Sequence, residues 1–132
     1  MWMLPGQMLF FFRDNTSLMH ASQEGQLEIA RLLLDGGANV NTSRGFDGIT
    51  PLLYAALYGH LRVARLLLER GANVNAASTD DECTALMYAS EGGHLGIVQL
   101  LLASGANKDA VNAQGQTALA MASTPEIKYV LK

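Results

Sequence analysis

His20, His60, His94, Cys83 and the acidic run Asp80 to Glu82 are the side chains whose types could do chemistry, as metal ligands, nucleophile or acid–base pair. A shared zinc ion needs each nitrogen about 2.0–2.1 Å away. His60 and His94 stand 34 residues apart in a chain that repeats at that interval, so packed helices would hold them about 8–10 Å apart. That is too far for one ion, and each imidazole is read as bonded to a turn at a helix start. His20 occupies the register of Tyr54, Tyr88 and Met121 and is read as a packing residue. Cys83 precedes Thr84 in a connection tip, which predicts an accessible surface thiol. A nucleophile needs an adjacent base and an orienting group, and neither is evident here. The carboxylates of Asp80, Asp81 and Glu82 should instead raise its pKa. The same run lacks the alternating ligands and bidentate Glu of a calcium loop. The glycines form no phosphate-binding loop after a strand, and no paired carboxylates flank a closed cleft. The expectation is a protein without catalytic residues, metal or cofactor.

Composition agrees with that direction. The chain has 132 residues, 49% of them apolar and 16% charged, with a formal charge of −3; this is a single-domain size without the basic excess that phosphate-backbone binding draws on. One cysteine makes no internal disulfide and no zinc site by itself, so stability must come from apolar packing. The opening MWMLPGQMLFFFRDN lacks a basic start, is broken at Pro5, Gly6 and Gln7, and ends at Arg13, unlike a secretory signal. No run approaches the roughly 18 apolar residues of a membrane span. These features predict a soluble, monomeric, cytoplasmic or nuclear protein whose partner is neither nucleic acid nor membrane.

The elements that position these side chains follow from an internal period. Thr16, Thr50, Thr84 and Thr117 are separated by 34, 34 and 33 residues, and Leu18, Leu52, Leu86 and Leu119 follow each by two. Ala21, Ala55, Ala89 and Ala122 keep the same phase, as do Gly25, Gly59 and Gly93 and the leucine triplets beginning at Leu32, Leu66 and Leu100. Gly37, Gly71 and Gly105 close the units. Each threonine suits an N-cap, and Pro51 suits the first helical position. A helix of about eight residues follows, with small alanines that allow close approach to its neighbour. Gly25, Gly59 and Gly93 end it in a left-handed conformation. The second helix buries a face such as Leu61, Ala64, Leu67 and Leu68 and exposes Arg62, Arg65 and Glu69. A turn-rich connection then leads to the next threonine. A helix pair of this kind cannot bury both faces alone, so neighbouring units must stack into a solenoid.

TPLL at Thr50 to Leu53, GHLRVARLLLERGANVN at Gly59 to Asn75 and GHLGIVQLLLASGAN at Gly93 to Asn107 resemble the ankyrin repeat. The resemblance implies an all-α, ankyrin-like solenoid over 14–132, with repeats at about 14–47, 48–81, 82–114 and a shortened 115–132. An apolar segment, 1–13, precedes it. Leu4, Leu9 and Phe10 to Phe12 are expected either to fold over the open flank of the first repeat or to stay without order or mark the cut edge of a longer array. The family's His after TPL is replaced by Met19, Leu53, Met87 and Ala120, so its turn hydrogen bonds are missing. Nine residues separate Asn41 from Thr50 and Asn75 from Thr84, against eight from Asp109 to Thr117; two connection fingers should therefore bulge by one residue. The last helix, Glu126 to Lys132, is expected to be capped by Ser123 or Thr124 with Pro125 in its first turn.

By that resemblance the concave face and the finger tips bind a partner protein without enzymatic chemistry, the alternative being a structural piece of a longer array. The matching positions are Gln23, Glu24, Leu57, Tyr58 and Glu91 on the first helices. Those on the tips are Arg44, Phe46, Asp47, Ile49, Asp80, Asp81 and Glu82, then Cys83, Gln114 and Gln116. Phe46, Ile49, Leu57 and Tyr58 are large apolar residues where the fold itself asks for none, as interface anchors are. Packing of Phe46 and Ile49 within the lengthened finger is the competing explanation. Asn41 and Asn75, eight residues after Leu33 and Leu67, resemble the ankyrin context in which an asparaginyl hydroxylase acts; hydrogen bonding within the connection is the other role open to them.

Overall fold

A computed structural model describes residues 16–132. The segment 1–13, the flank cover expected of Leu4, Leu9 and Phe10 to Phe12, and the capping side chain of Thr16 lie outside the described residues.

Among the described residues four helix pairs follow one another: α1 (Thr16–Glu24) and α2 (Leu27–Asp35), α3 (Pro51–Tyr58) and α4 (Leu61–Glu69), α5 (Ala85–Glu91) and α6 (Leu95–Ala103), α7 (Ala118–Met121) and α8 (Pro125–Leu131). Thr50, Thr84 and Thr117 accept from the amides of Leu53, Met87 and Ala120 at 3.3, 3.4 and 3.3 Å. Each satisfies one of the orphan donors of a helix start. Thr124 does the same for Ile127 at 3.2 Å, with Pro125 at the first turn of α8.

The inner helices α1, α3, α5 and α7 stack side by side, and each packs against the outer helix of its own pair. Ala21, Ala55 and Ala89 are fully buried between them, which is why these positions tolerate only a methyl group. Leu18, Leu52, Leu86, Leu67, Leu101 and Ile127 fill the space behind. The buried face of α4 is Val63, Ala64, Leu66 and Leu67. It is rotated from the face expected of Leu61, Ala64, Leu67 and Leu68, because α4 packs on α3 and on both flanking outer helices at once. Leu61 and Leu68 are left at the edge of the core.

Gly25, Gly59 and Gly93 adopt φ of 71°, 79° and 76°. A Cβ on Gly59 would also meet the His94 ring at 2.6 Å, so this glycine is set by sterics as well as backbone conformation. The His60 ring reaches back across the repeat boundary, its Nε2 lying 2.7 Å from the Gln23 carbonyl oxygen. The imidazole, expected to bond to a turn at a helix start, thus bonds to the last turn of α1 and ties one repeat to the one before.

Consecutive connections are joined by an asparagine ladder. Asn41 accepts from the Asn73 amide at 2.7 Å and donates to the Gly71 carbonyl at 3.1 Å. Asn75 accepts from the Asn107 amide at 2.8 Å and donates toward the Gly105 carbonyl at 3.5 Å. Further out, the Thr79 amide donates to the Asp47 carbonyl at 2.7 Å and the Ala113 amide to the Asp81 carbonyl at 2.9 Å. The fingers thus stack edge to edge by main-chain bonds, with one isolated antiparallel bridge, Ala77 to Thr84, among the described residues.

Candidate functional site

Among the described residues, an exposed apolar surface lies where α3 meets the finger that precedes it. That finger closes through the Arg44 amide to the Ile49 carbonyl at 3.1 Å, and the next through the Ser78 amide to the Cys83 carbonyl at 3.0 Å. The third closes one residue tighter, the Asn112 amide bonding to Gln116. The extra residue expected in two fingers is thus located inside the closed turn.

In the first finger the Asp47 carboxylate accepts from the Ile49 amide at 3.1 Å and pairs with the Arg44 guanidinium through two nitrogens. The hydrogen bond from Arg44 holds the Asp47 carboxyl below its usual range, against desolvation. The Arg44 guanidinium also lies 4.7 Å from the Phe46 ring centroid and 5.2 Å from that of Tyr54, within cation–π reach of both. Tyr54 is stacked on Tyr58, centroids 6.2 Å apart and planes inclined by 17°. The result is a continuous aromatic strip, Phe46, Arg44, Tyr54, Tyr58, that runs from finger tip to helix end. Phe46 is 79% exposed, Tyr58 49% and Leu57 38%. Beside it Met19, His20, Gln23, Arg44 and Tyr54 line a shallow depression. His20, expected as a packing residue, is exposed there.

Ile49 does not belong to this surface. It is only 8% exposed, and Cys83, in the same register one residue before its cap, is 4% exposed. Both expectations of exposure are corrected by one cause. The residue before the capping threonine turns inward in the first two fingers, whereas Gln116 of the third stays exposed; Asn112 packs against Cys83, its side-chain amide nitrogen 3.8 Å from the sulfur. Desolvation is the main reason the Cys83 thiol is pushed up, with the Asp81 charge adding to it.

The second finger is organised differently. Burial would raise the Asp81 carboxyl, but hydrogen bonds from the Ser78 hydroxyl, the Cys83 amide and the Tyr88 hydroxyl outweigh it and hold the group low. Burial, with the neighbouring carboxylate, pushes Tyr88 up to about 12. Asp47 and Asp81 are therefore internal braces of their fingers, Asp47 buried and Asp81 half-buried. Arg44 is likewise engaged within its own finger. Asp80 and Glu82 remain exposed, as do Glu24 and Glu91. Asn112 is the brace of the third finger, accepting from the Gln114 and Gln116 amides at 3.0 and 2.9 Å. At the register of the absent His, Met19, Leu53 and Met87 are buried and Ala120 is exposed. Sequence reasoning missed the Asp81–Tyr88 and Asn112 braces, although an Asp or Asn a few residues before each cap signals them.

A family model for ankyrin repeats in three copies matches residues 6–78 and 75–131. The chain belongs to the ankyrin-repeat family, whose members are generally protein–protein interaction modules and typically not enzymes. No curated protein matches it. No helix among the described residues is long and apolar enough to cross a membrane.

Proposed function

We propose that the chain is a non-enzymatic protein-binding module, taking a partner protein against the concave face and the first finger. The observation that carries the reading is the strip of Phe46, Leu57 and Tyr58, exposed at positions whose burial the fold does not need. Gln23, Glu24, Glu91, Asp80 and Glu82 form its polar rim, and aromatic anchors inside a polar rim are the usual anatomy of an interface. Arg44 supports the site from within by holding Phe46 outward. The module needs no cofactor or metal, works as a monomer in the cytoplasm or nucleus, and does not engage nucleic acid or membrane.

A second reading, a structural stretch of a longer array, has its own observation. Ile29 and Leu32 are exposed, Leu32 at 69%, although the residues in their register, Val63 and Leu66, are buried. Affinity capture with Leu57→Asp/Tyr58→Asp separates the two. A module loses its partner while circular dichroism and thermal midpoint stay as in the parent. Capture that survives this pair and is lost in Leu32→Asp supports the array. Hydroxylation of Asn41 or Asn75 would add one oxygen to a peptide otherwise held in the ladder, which peptide mass spectrometry reads directly.

A further inference from the structure

The same face carries a charge pattern that goes beyond a generic docking surface. Repeat register places Gln23, Leu57 and Glu91 at one position, and Glu24, Tyr58 and Gly92 at the next. The apolar pair on α3 is therefore bracketed by one carboxylate on α1 and one on α5, each about 8–10 Å away across packed helices. Glu24 and Glu91 are exposed. The ion pairs among the described residues join Arg31 to Glu28, Arg44 to Asp47 and Arg70 to Asp35, and none involves either residue. Arg44 is the one cation on this face among the described residues, and its charge is spent on Asp47. The remaining described cations, Arg31, Arg62, Arg65, Arg70, Lys108, Lys128 and Lys132, lie on the outer helices or the turns next to them. Asp80 and Glu82 add two more exposed carboxylates on the neighbouring finger.

We infer that the partner presents an apolar or aromatic anchor with a lysine or arginine on each side of it. This rests on the docking face proposed above and names the chemistry of its occupant. In an extended segment crossing the repeats, a rise of about 3.3 Å per residue puts each cation about three residues from the anchor. The anchor enters between Leu57 and Tyr58, and the two cations meet Glu24 and Glu91. A neutral or acidic segment with the same anchor would leave these carboxylates unpaired or opposed, which sets selectivity and encounter rate.

The test is a random-sequence peptide library displayed on phage and panned against the full chain. Enriched peptides are then synthesised and their affinities measured by fluorescence anisotropy. Apolar residues flanked on both sides by Lys or Arg are expected. Their affinity should fall about tenfold in Glu24→Lys/Glu91→Lys, and panning that variant should select acidic flanks. Enrichment of neutral or acidic flanks on the parent chain, lost in Leu57→Asp/Tyr58→Asp, overturns the charge assignment and leaves the docking face standing. Enrichment indifferent to Leu57→Asp/Tyr58→Asp, or none, overturns both.

Discussion

The first and second fingers have the same length of closed turn and the same aspartate, Asp47 or Asp81, three residues before the cap, yet they present opposite surfaces. In the first, Asp47 is neutralised by a long cation whose other face supports Phe46 and Tyr54. In the second, Asp81 is satisfied by the short hydroxyl of Ser78 and by Tyr88. The same inner-helix position, Tyr54 or Tyr88, is a stacking platform in one and a hydrogen-bond donor in the other. The difference teaches that the finger's brace decides its exterior: a stacking cation pushes an aromatic outward, whereas a hydroxyl brace leaves only carboxylates at the tip.

Breaking the second brace should have the largest effect on stability. Asp81→Ala leaves the Ser78 and Tyr88 hydroxyls and the Cys83 amide without their acceptor, a loss of about 1–3 kcal/mol, read by urea unfolding. The pH dependence follows from the lowered Asp81 carboxyl. Its contribution is present above the unfolded carboxyl value of about 3.9 and is lost as pH falls through the lower folded value. The parent should therefore lose stability on acidification below about pH 4, and Asp81→Asn should flatten part of that limb. Thermal midpoints across the acid range check the sign.

A smaller effect of either sign sharpens the comparison at the next residue. Gly48 and Glu82 share a register two before their caps, with φ of 68° and 57°. Glu82→Gly should stabilise by about 1 kcal/mol, because only glycine adopts that conformation without cost. Gly48→Ala should destabilise by about as much or more, its Cβ meeting the Thr79 methyl at 2.7 Å and the Thr79 amide nitrogen at 3.0 Å. Least of all in stability is Arg44→Ala. Its pair with Asp47 is about a third exposed on the arginine side, so the loss should stay within about 1 kcal/mol. Partner capture should nevertheless weaken, since Phe46 loses its support; equal capture would show that Phe46 does not depend on Arg44.

The solenoid was legible because threonine, alanine, glycine and leucine keep phase over consecutive units, and each has a separate physical job. The exposure of Leu57, Tyr58 and Phe46 was legible for the opposite reason, since they depart from what stacking requires. Ile49 and Cys83 were misplaced because exposure was judged from their place in a connection, while their apolar side chains at one register, where the third finger carries the exposed Gln116, mark an inward position. The hydrogen-bonding role of His60 was legible but its partner was not, because the Gln23 carbonyl is backbone and carries no sequence signal. The strain at Glu82 was present in the sequence, since Gly48 and Gly115 occupy its register.

Hydroxyl-radical footprinting of the chain, alone and with the protein it captures, tests the docking face most directly. Tyr129, exposed on α8 away from the strip, serves as the internal reference. Phe46, Leu57 and Tyr58 should lose reactivity on complex formation while Tyr129 keeps its own. Protection of Tyr129 or of the outer helix α4, with Phe46 and Tyr58 as reactive as in the free chain, would contradict the account.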